Sequence, residues 1–401
     1  LKKKVLFIMS DTGGGHRAAA EAIRDALVVK HDTEIEVELV DVFRDYSPFP
    51  FKYMPEFYPW LINHSKSSWG AGYKFSNTPR NARTLSRGMY VTMESNLKRM
   101  LREHPADVVV SVHSVLTRIT MQAMMSLPSR PPYMVVVTDL VSTHMFWYDR
   151  RCDRCLVPTQ PAYDRGLLAG LKEEQLRITG LPVHPRFSQG LVGKREARSS
   201  LGWDQSLPAI LIVGGGEGMG PIYKIAQALN DRRLNCQFAI IAGRNKALKE
   251  QLEAIRWNQP THIYGFVTDM PRMMAASDVI VTKAGPSTIS EACIAGLPMI
   301  IYDAIPGQES GNVEYVVENQ AGVFTPNTGA TVEALAAWLA EGADGLQRRS
   351  EYARRLARPN AVWDIADEVW HYAHKPRIER GRRNILRDIS ERARALSVSL
   401  D

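Results

Sequence analysis

The run Val5-Leu6-Phe7-Ile8-Met9, the turn Ser10-Asp11-Thr12-Gly13-Gly14-Gly15-His16-Arg17 and the segment Ala18-Ala19-Ala20-Glu21-Ala22-Ile23 read as strand, glycine turn and helix. Glycines let backbone amides at a helix N-terminus approach an anion closely. His16 stands in that turn, where a histidine takes a proton near neutral pH; the structural alternative is a side chain capping the turn. Gly13-x-Gly15-x-x-Ala18 also meets a loose dinucleotide fingerprint, with Glu38 and Asp41 near the acidic position expected about 20 residues on. A second apolar run, Ile210-Leu211-Ile212-Val213, leads into Gly214-Gly215-Gly216-Glu217-Gly218-Met219-Gly220-Pro221, which fits that fingerprint in no register. Two such loops suit one ligand held between two similar domains better than a dehydrogenase.

Two further turns follow later strands, where open α/β sheets bind ligands. In Thr282-Lys283-Ala284-Gly285-Pro286-Ser287-Thr288-Ile289-Ser290-Glu291 the small residues suit a diphosphate, and the carboxylate one turn on suits ribose hydroxyls. In Pro306-Gly307-Gln308-Glu309-Ser310-Gly311-Asn312, Gln308 and Glu309 suit sugar hydroxyls. Asp139, at the end of an apolar strand, is placed to orient His16 or to serve an acceptor hydroxyl, with a helix cap as the alternative. His113 ends the strand Val108–Val112 at the edge of the same cleft, as a site residue or as a core histidine. Cys152 and Cys155 have no second ligand pair at zinc spacing and read as structural thiols. No metal cluster stands out.

Elements that would position these groups alternate along the chain. Strands are expected at 4–9, 35–40, 107–112, 133–137, 154–157, 209–213, 237–241, 261–264, 278–281 and 298–302, most followed by a helix, the pattern of parallel sheets covered by helices. With 401 residues, two domains and a tail are expected: 1–190, 191–350, and a helical, basic 351–401 with no further strand after residue 350. The four cysteines make no disulfide framework and point to a reducing compartment. The chain opens with Leu1 rather than methionine, which leaves room for a leader removed from the natural protein. No apolar run approaches the roughly 20 residues of a membrane helix.

Charge is uneven: residues 1–195 carry +8, 196–374 carry −5 and 375–394 carry +5. A basic half suits phosphate-bearing ligands, nucleic acid or an anionic bilayer, and an acidic middle argues against nucleic acid. Between Tyr46 and Phe75 lie ten of the 33 aromatic residues, among them Phe57, Tyr58, Trp60 and Trp69, broken by Pro48, Pro50, Pro55 and Pro59. That stretch cannot be one regular helix and reads as a surface excursion: either an interfacial membrane anchor or a loop folded onto its own domain.

The order of these motifs resembles the MGDG synthases, the monogalactosyldiacylglycerol-forming members of glycosyltransferase family 28. The likeness spans most of 4–345. It rests on the aromatic insertion, Gly13-Gly14-Gly15-His16-Arg17, Thr138-Asp139-Leu140, Gly216-Glu217-Gly218-Met219-Gly220-Pro221, Lys283-Ala284-Gly285-Pro286 with Glu291, and Pro306-Gly307-Gln308-Glu309. The resemblance implies an α/β GT-B fold, two Rossmann-like domains facing across a cleft, with the helical tail packing back across both. It implies an inverting transfer of a hexose, galactose favoured, from a UDP-sugar to the 3-hydroxyl of 1,2-diacylglycerol, with no bound cofactor. His16 and Asp139 would be catalytic. Gly14, Gly15, Gly216, Glu217, Gly218, Met219, Gly285, Pro286, Ser287, Glu291, Gln308 and Glu309 would hold the donor. Phe57, Tyr58, Trp60, Trp69, His144 and Trp147 would meet the acceptor or the membrane. The expected setting is peripheral, on the cytoplasmic face of an anionic membrane or on a plastid envelope, with UDP-sugar and diacylglycerol as partners and no nucleic acid. Processive diacylglycerol glucosyltransferases share this frame, and a UDP-sugar 2-epimerase shares the architecture.

Overall fold

A computed structural model describes residues 2–11, 15–56, 65–216, 218 and 220–379. Strands β1 (Lys3–Met9), β2 (Ile35–Asp41), β3 (Val108–Ser111), β5 (Tyr133–Val136), β6 (Arg154–Val157) and β7 (Leu176–Ile178) form one parallel sheet in the order β2-β1-β3-β5-β6-β7. Strands β8 (Ala209–Val213), β9 (Gln237–Ile241), β10 (Thr261–Tyr264), β11 (Val279–Lys283), β12 (Met299–Asp303) and β13 (Gly322–Phe324) form a second, in the order β10-β9-β8-β11-β12-β13. The apolar runs Val5–Met9 and Ala209–Val213 are buried along their whole length, as strands covered by helices on both faces must be.

All ten expected strands are present. Four more appear: β7, β13 and the two-residue pair β4 (Ser129–Arg130) and β14 (Ile378–Glu379), which run antiparallel to each other. The last corrects the expectation that no strand follows residue 350.

The connecting helices are α1 (Gly15–His31), α2 (Val42–Tyr46), α3 (Lys66–Ser76), α4 (Pro79–Glu103), α5 (Ser114–Met124), α6 (Gln160–Leu168) and α7 (Lys194–Leu201), then α8 (Ile222–Asp231), α9 (Lys246–Glu253), α10 (Met270–Ala275), α11 (Pro286–Ala295), α12 (Ser310–Glu318) and α13 (Thr328–Ala340). Their ends follow local chemistry. Thr78 accepts from the Asn81 amide with Pro79 opening α4, and Gly296 ends α11 in the left-handed region. The aromatic stretch becomes α2, a single 3-10 turn at Phe51–Tyr53 and α3; Phe57, Tyr58 and Trp60 lie outside the described residues.

After α14 (Gly342–Arg355), the chain returns to the first sheet. There α15 (Ala361–Ala373) buries Val362, Ile365, Val369 and Tyr372 with Phe7, Ile23 and Leu27. Its Glu368 takes Arg154 at 2.8 Å and Arg177 at 2.5 Å, which fixes the helix against β6 and β7.

Candidate active site

Strand order decides where a ligand can sit. In the first sheet the path reverses between β1 and β3, and in the second between β8 and β11. At such a switch point the loops leaving adjacent strands part and open a crevice. The loop after β1 carries His16 and the residue following Val112 is His113. The loop after β8 is the 214–220 glycine loop, and β11 runs into Lys283–Ser287. Sheet topology therefore gathers four of the sequence motifs at two crevices.

On the first side His16, half-buried in the first turn of α1, lies 2.9 Å through Nδ1 from the Thr138 hydroxyl. Thr138 Oγ1 also reaches the Val112 carbonyl at 3.4 Å. A hydroxyl that donates to Val112 accepts from His16 in the tautomer with the proton on Nδ1, and His16 itself also faces the Val112 carbonyl. The His113 ring packs 4.4 Å away, centroid to centroid. Burial dominates the His16 titration and lowers its pKa to about 4. His113 is pushed down as well, by burial and by the neighbouring His16. Both rings are neutral at physiological pH.

Asp139 does not orient His16, which corrects one of its two expected roles. Its Oδ2 accepts the Trp147 indole N–H at 2.6 Å, and the His16 hydrogen bond goes to Thr138. Burial raises the Asp139 carboxyl to about 6, and the facing Glu309 carboxylate adds to the rise against the Trp147 hydrogen bond. Trp147, fully buried, and His144, 5% exposed, cannot meet a bilayer where they stand. Trp147 forms a wall of the site, 6.1 Å from the His16 ring. His144 caps the 3-10 turn Met145–Trp147 through Nδ1 and approaches Ser76 Oγ at 3.0 Å. Burial, with Arg165 nearby, lowers its pKa to about 4. Trp69 sits half-buried on α3, its ring 6.4 Å from Tyr73.

On the second side, Gly285 precedes α11 and Pro286 opens it, so the amides of Ser287 and Thr288 begin the helix without intrahelical acceptors. Lys283, unassigned in the sequence, pairs with Glu309 at 3.3 Å, and Glu309 also accepts the Ile305 amide at 2.9 Å. Glu309 is thus anchored within its own loop, while Gln308 beside it is half-buried. Glu291 is half-buried on α11, and burial alone pushes its carboxyl up to about 8.

The glycine loop is packed to its limit. Gly218 has φ +61°, and a Cβ there would lie 2.1 Å from the Ala242 carbonyl oxygen. Gly218→Ala combines left-handed strain with overpacking. It should cost about 2–4 kcal/mol, read as a lowered melting midpoint. Arg244 and Phe266, which sequence spacing does not single out, flank Gly216: the guanidinium lies 4.3 Å over the Phe266 ring, and that ring is 53% exposed. Gly14, Glu217 and Met219 lie outside the described residues, and Gly15 is exposed at the start of α1.

The two sides meet through the segment after Asp139. The Val141 amide donates to Asn312 Oδ1 at 3.2 Å, the Gly311 amide to Ser142 Oγ at 2.9 Å, and the Tyr73 hydroxyl of α3 to the Ser142 carbonyl. Among the described residues no three His, Cys, Asp or Glu side chains are grouped to hold a metal ion, and no helix is long and apolar enough to cross a membrane. Cys152 and Cys155 are buried free thiols.

Comparison with known proteins agrees with this geometry. Residues 16–183 match the family described as monogalactosyldiacylglycerol (MGDG) synthase, and residues 209–369 match the glycosyltransferase family 28 C-terminal domain. The chain is 38% identical to monogalactosyldiacylglycerol synthase 3, chloroplastic, of Arabidopsis thaliana, over 93% of this chain and 82% of that protein. It is 40% identical to the synthase 2 of the same plant, over 92% and 80%. Among solved structures, MurG of Acinetobacter baumannii superposes with a TM-score of 0.62 at 14% identity, covering 92% of this chain and 99% of that one. A UDP-GlcNAc 2-epimerase from Neisseria meningitidis, bound to UDP-GlcNAc, gives 0.58 at 15%, covering 92% and 100%. The two likenesses show the fold, two parallel six-stranded sheets in the GT-B arrangement. With both halves matched in order and curated relatives covered over most of their length, the chain belongs to the monogalactosyldiacylglycerol synthase family of glycosyltransferases.

Proposed function

We propose that the protein transfers galactose from UDP-galactose to the 3-hydroxyl of 1,2-diacylglycerol in one displacement with inversion, and that His16 is the general base. The observation that carries the reading is the placement of a neutral His16 at one switch-point crevice, with a helix N-terminus and Lys283 at the other. The acceptor oxygen forms a bond to the anomeric carbon, the bond from that carbon to the UDP oxygen breaks, and the hydroxyl proton passes to His16. A hydroxyl becomes acidic only as its oxygen bonds to carbon, so a base held neutral by burial accepts the proton late in the step. The α11 amides, Lys283 and the 214–220 loop would stabilise the charge developing on UDP. No step calls on a metal.

In this reading residues 1–190 hold the acceptor and 191–350 the nucleotide sugar, while α15 returns to the first unit. Gly285, Pro286 and Ser287 would take the diphosphate, Glu291 the ribose, and Gln308 with Glu309 the hexose. Phe266 with Arg244 offers a flat face for the base. Asp139 would serve the acceptor side. Exposed Phe49, Tyr53 and Phe75, at 81%, 57% and 66%, flank the aromatic excursion and support peripheral docking on an anionic bilayer, as does the +8 charge of residues 1–195.

Glu291 makes this reading testable by pH. An ionised carboxylate accepts ribose hydroxyls more strongly than the neutral acid does, so the KM for UDP-galactose should fall as pH rises through about 8. Glu291→Gln should remove that dependence; a wild-type KM flat from pH 6.5 to 9 would remove Glu291 from the donor site. The reaction class is tested by UDP release that requires diacylglycerol and is faster with UDP-galactose than with UDP-glucose. Release equal with and without the lipid would overturn it.

A further inference from the structure

Helix α3 comes from the first unit, yet one face of it lies on a loop of the second. Its C-terminal end is held by first-unit groups. Ser76 Oγ lies 3.0 Å from His144 Nε2, and Asn77 Oδ1, one residue past the helix, accepts the Met145 amide and Arg165 Nη2, both at 2.9 Å. Further back, Gly70 and Tyr73 stand three residues apart and so share a face. Both meet the turn that follows β12. A Cβ at Gly70 would lie 3.1 Å from Pro306 Cβ, and a Cβ at Gly307 would lie 2.9 Å from Cδ1 of the Tyr73 ring. Tyr73 is 8% exposed, its ring packs edge-on to His144 at 4.8 Å between centroids, and its hydroxyl donates to the Ser142 carbonyl.

Pro306 and Gly307 begin the loop that would hold the hexose through Gln308 and Glu309. Within it the Glu309 amide donates to the Ile305 carbonyl at 2.8 Å, the Gly307 amide to Ser310 Oγ at 3.1 Å and the Ile305 amide to Glu309 Oε2 at 2.9 Å. These bonds set the shape of the loop but do not cross the cleft. Ser142 references it to the first unit from both ends: its carbonyl takes the Tyr73 hydroxyl beside Gly307, and its hydroxyl accepts the Gly311 amide. Gln308 and Glu309 lie between these two pins. An aromatic ring close-packed against a backbone without a Cβ leaves the loop little freedom to shift. We propose that Tyr73 is a positioning residue for the sugar donor: with Gly70 it clamps Pro306–Gly307 and so sets where Gln308 and Glu309 meet the hexose. This role rests on the hexose reading of that loop, and Tyr73 acts through Gly307.

The test measures dissociation constants of the full chain for UDP and for UDP-galactose by calorimetry, with no lipid present. UDP lacks the hexose, so it reports folding and the nucleotide pocket alone. Tyr73→Ala should raise the UDP-galactose constant at least about tenfold, the weight of a hydrogen bond or two to the hexose, with the UDP constant unchanged. Tyr73→Phe keeps the ring on Gly307 and loses only the bond to Ser142, so it should recover most of the loss. Gly70→Val drives a side chain against Pro306 and should reproduce the selective loss with Tyr73 intact, which decides the matter if Tyr73→Ala does not fold. Gln308→Ala reads the loop itself and should raise the UDP-galactose constant alone. If it does, while Tyr73→Ala and Gly70→Val leave both constants unchanged or weaken both ligands equally, the positioning role is overturned and the hexose loop stands. If Gln308→Ala binds UDP-galactose as the wild type does, the hexose reading of the loop is overturned, and the role of Tyr73 with it.

Discussion

His16→Ala is expected to lower kcat by about 10²–10⁴-fold, the range for loss of a positioned general base, with the KM for UDP-galactose little changed. The imidazole lies on the wall opposite the helix that would hold the diphosphate, so its removal should spare donor binding. The sign of the pH dependence follows from its lowered pKa. The base must be unprotonated, so wild-type kcat, read at saturating UDP-galactose, should hold from neutral pH downward and fall only as pH approaches about 4. An acid limb near 6 would instead point to Asp139, whose carboxyl titrates there. Near-wild-type turnover in His16→Ala would remove His16 from the chemistry.

Trp147→Ala should have the largest effect on stability. The ring is fully buried in the first core, and its truncation leaves a cavity costing about 3–5 kcal/mol. For a domain of this size that is a fall of roughly 6–20 °C in the melting midpoint. Trp147→Phe separates packing from electrostatics. It fills much of the volume but removes the indole N–H, which lowers the Asp139 pKa, so the carboxyl should titrate above about 6 and be more protonated at pH 7. If Trp147→Phe leaves both the melting midpoint and the pH profile unchanged, Trp147 is not the wall that holds Asp139.

Much of this arrangement is legible in the chain because the strands that build it are buried on both faces. Runs such as Val5–Met9 and Ile210–Val213 have no polar side to blur their signal, and each is followed in the sequence by a glycine-rich turn. Edge strands β7 and β13 are three residues long and only partly buried, and both residues of β14 are exposed. Such segments read as loops until a partner strand is known. His16, the proposed base, is legible from its turn, but its partner is not. Thr138 and Asp139 are adjacent in sequence, and only the direction of each side chain from the end of β5 gives the hydrogen bond to Thr138 and leaves Asp139 to Trp147. Trp147 and His144 read as acceptor or membrane residues because aromatics near a basic segment resemble an interface. The fold instead tucks Met145–Trp147 under α4 and α5, where burial keeps them from a membrane surface. Arg244 and Phe266 come from separate loops and acquire a shared meaning only when β9 and β10 pair.

The most direct test of the account is the mass and anomeric configuration of the lipid formed when the protein receives UDP-galactose and diacylglycerol in anionic vesicles. A single displacement across the two crevices predicts a β-galactosyl diacylglycerol, with one UDP released per lipid made. An α-glycoside, or UDP-galactose consumed with no galactolipid formed, would contradict it.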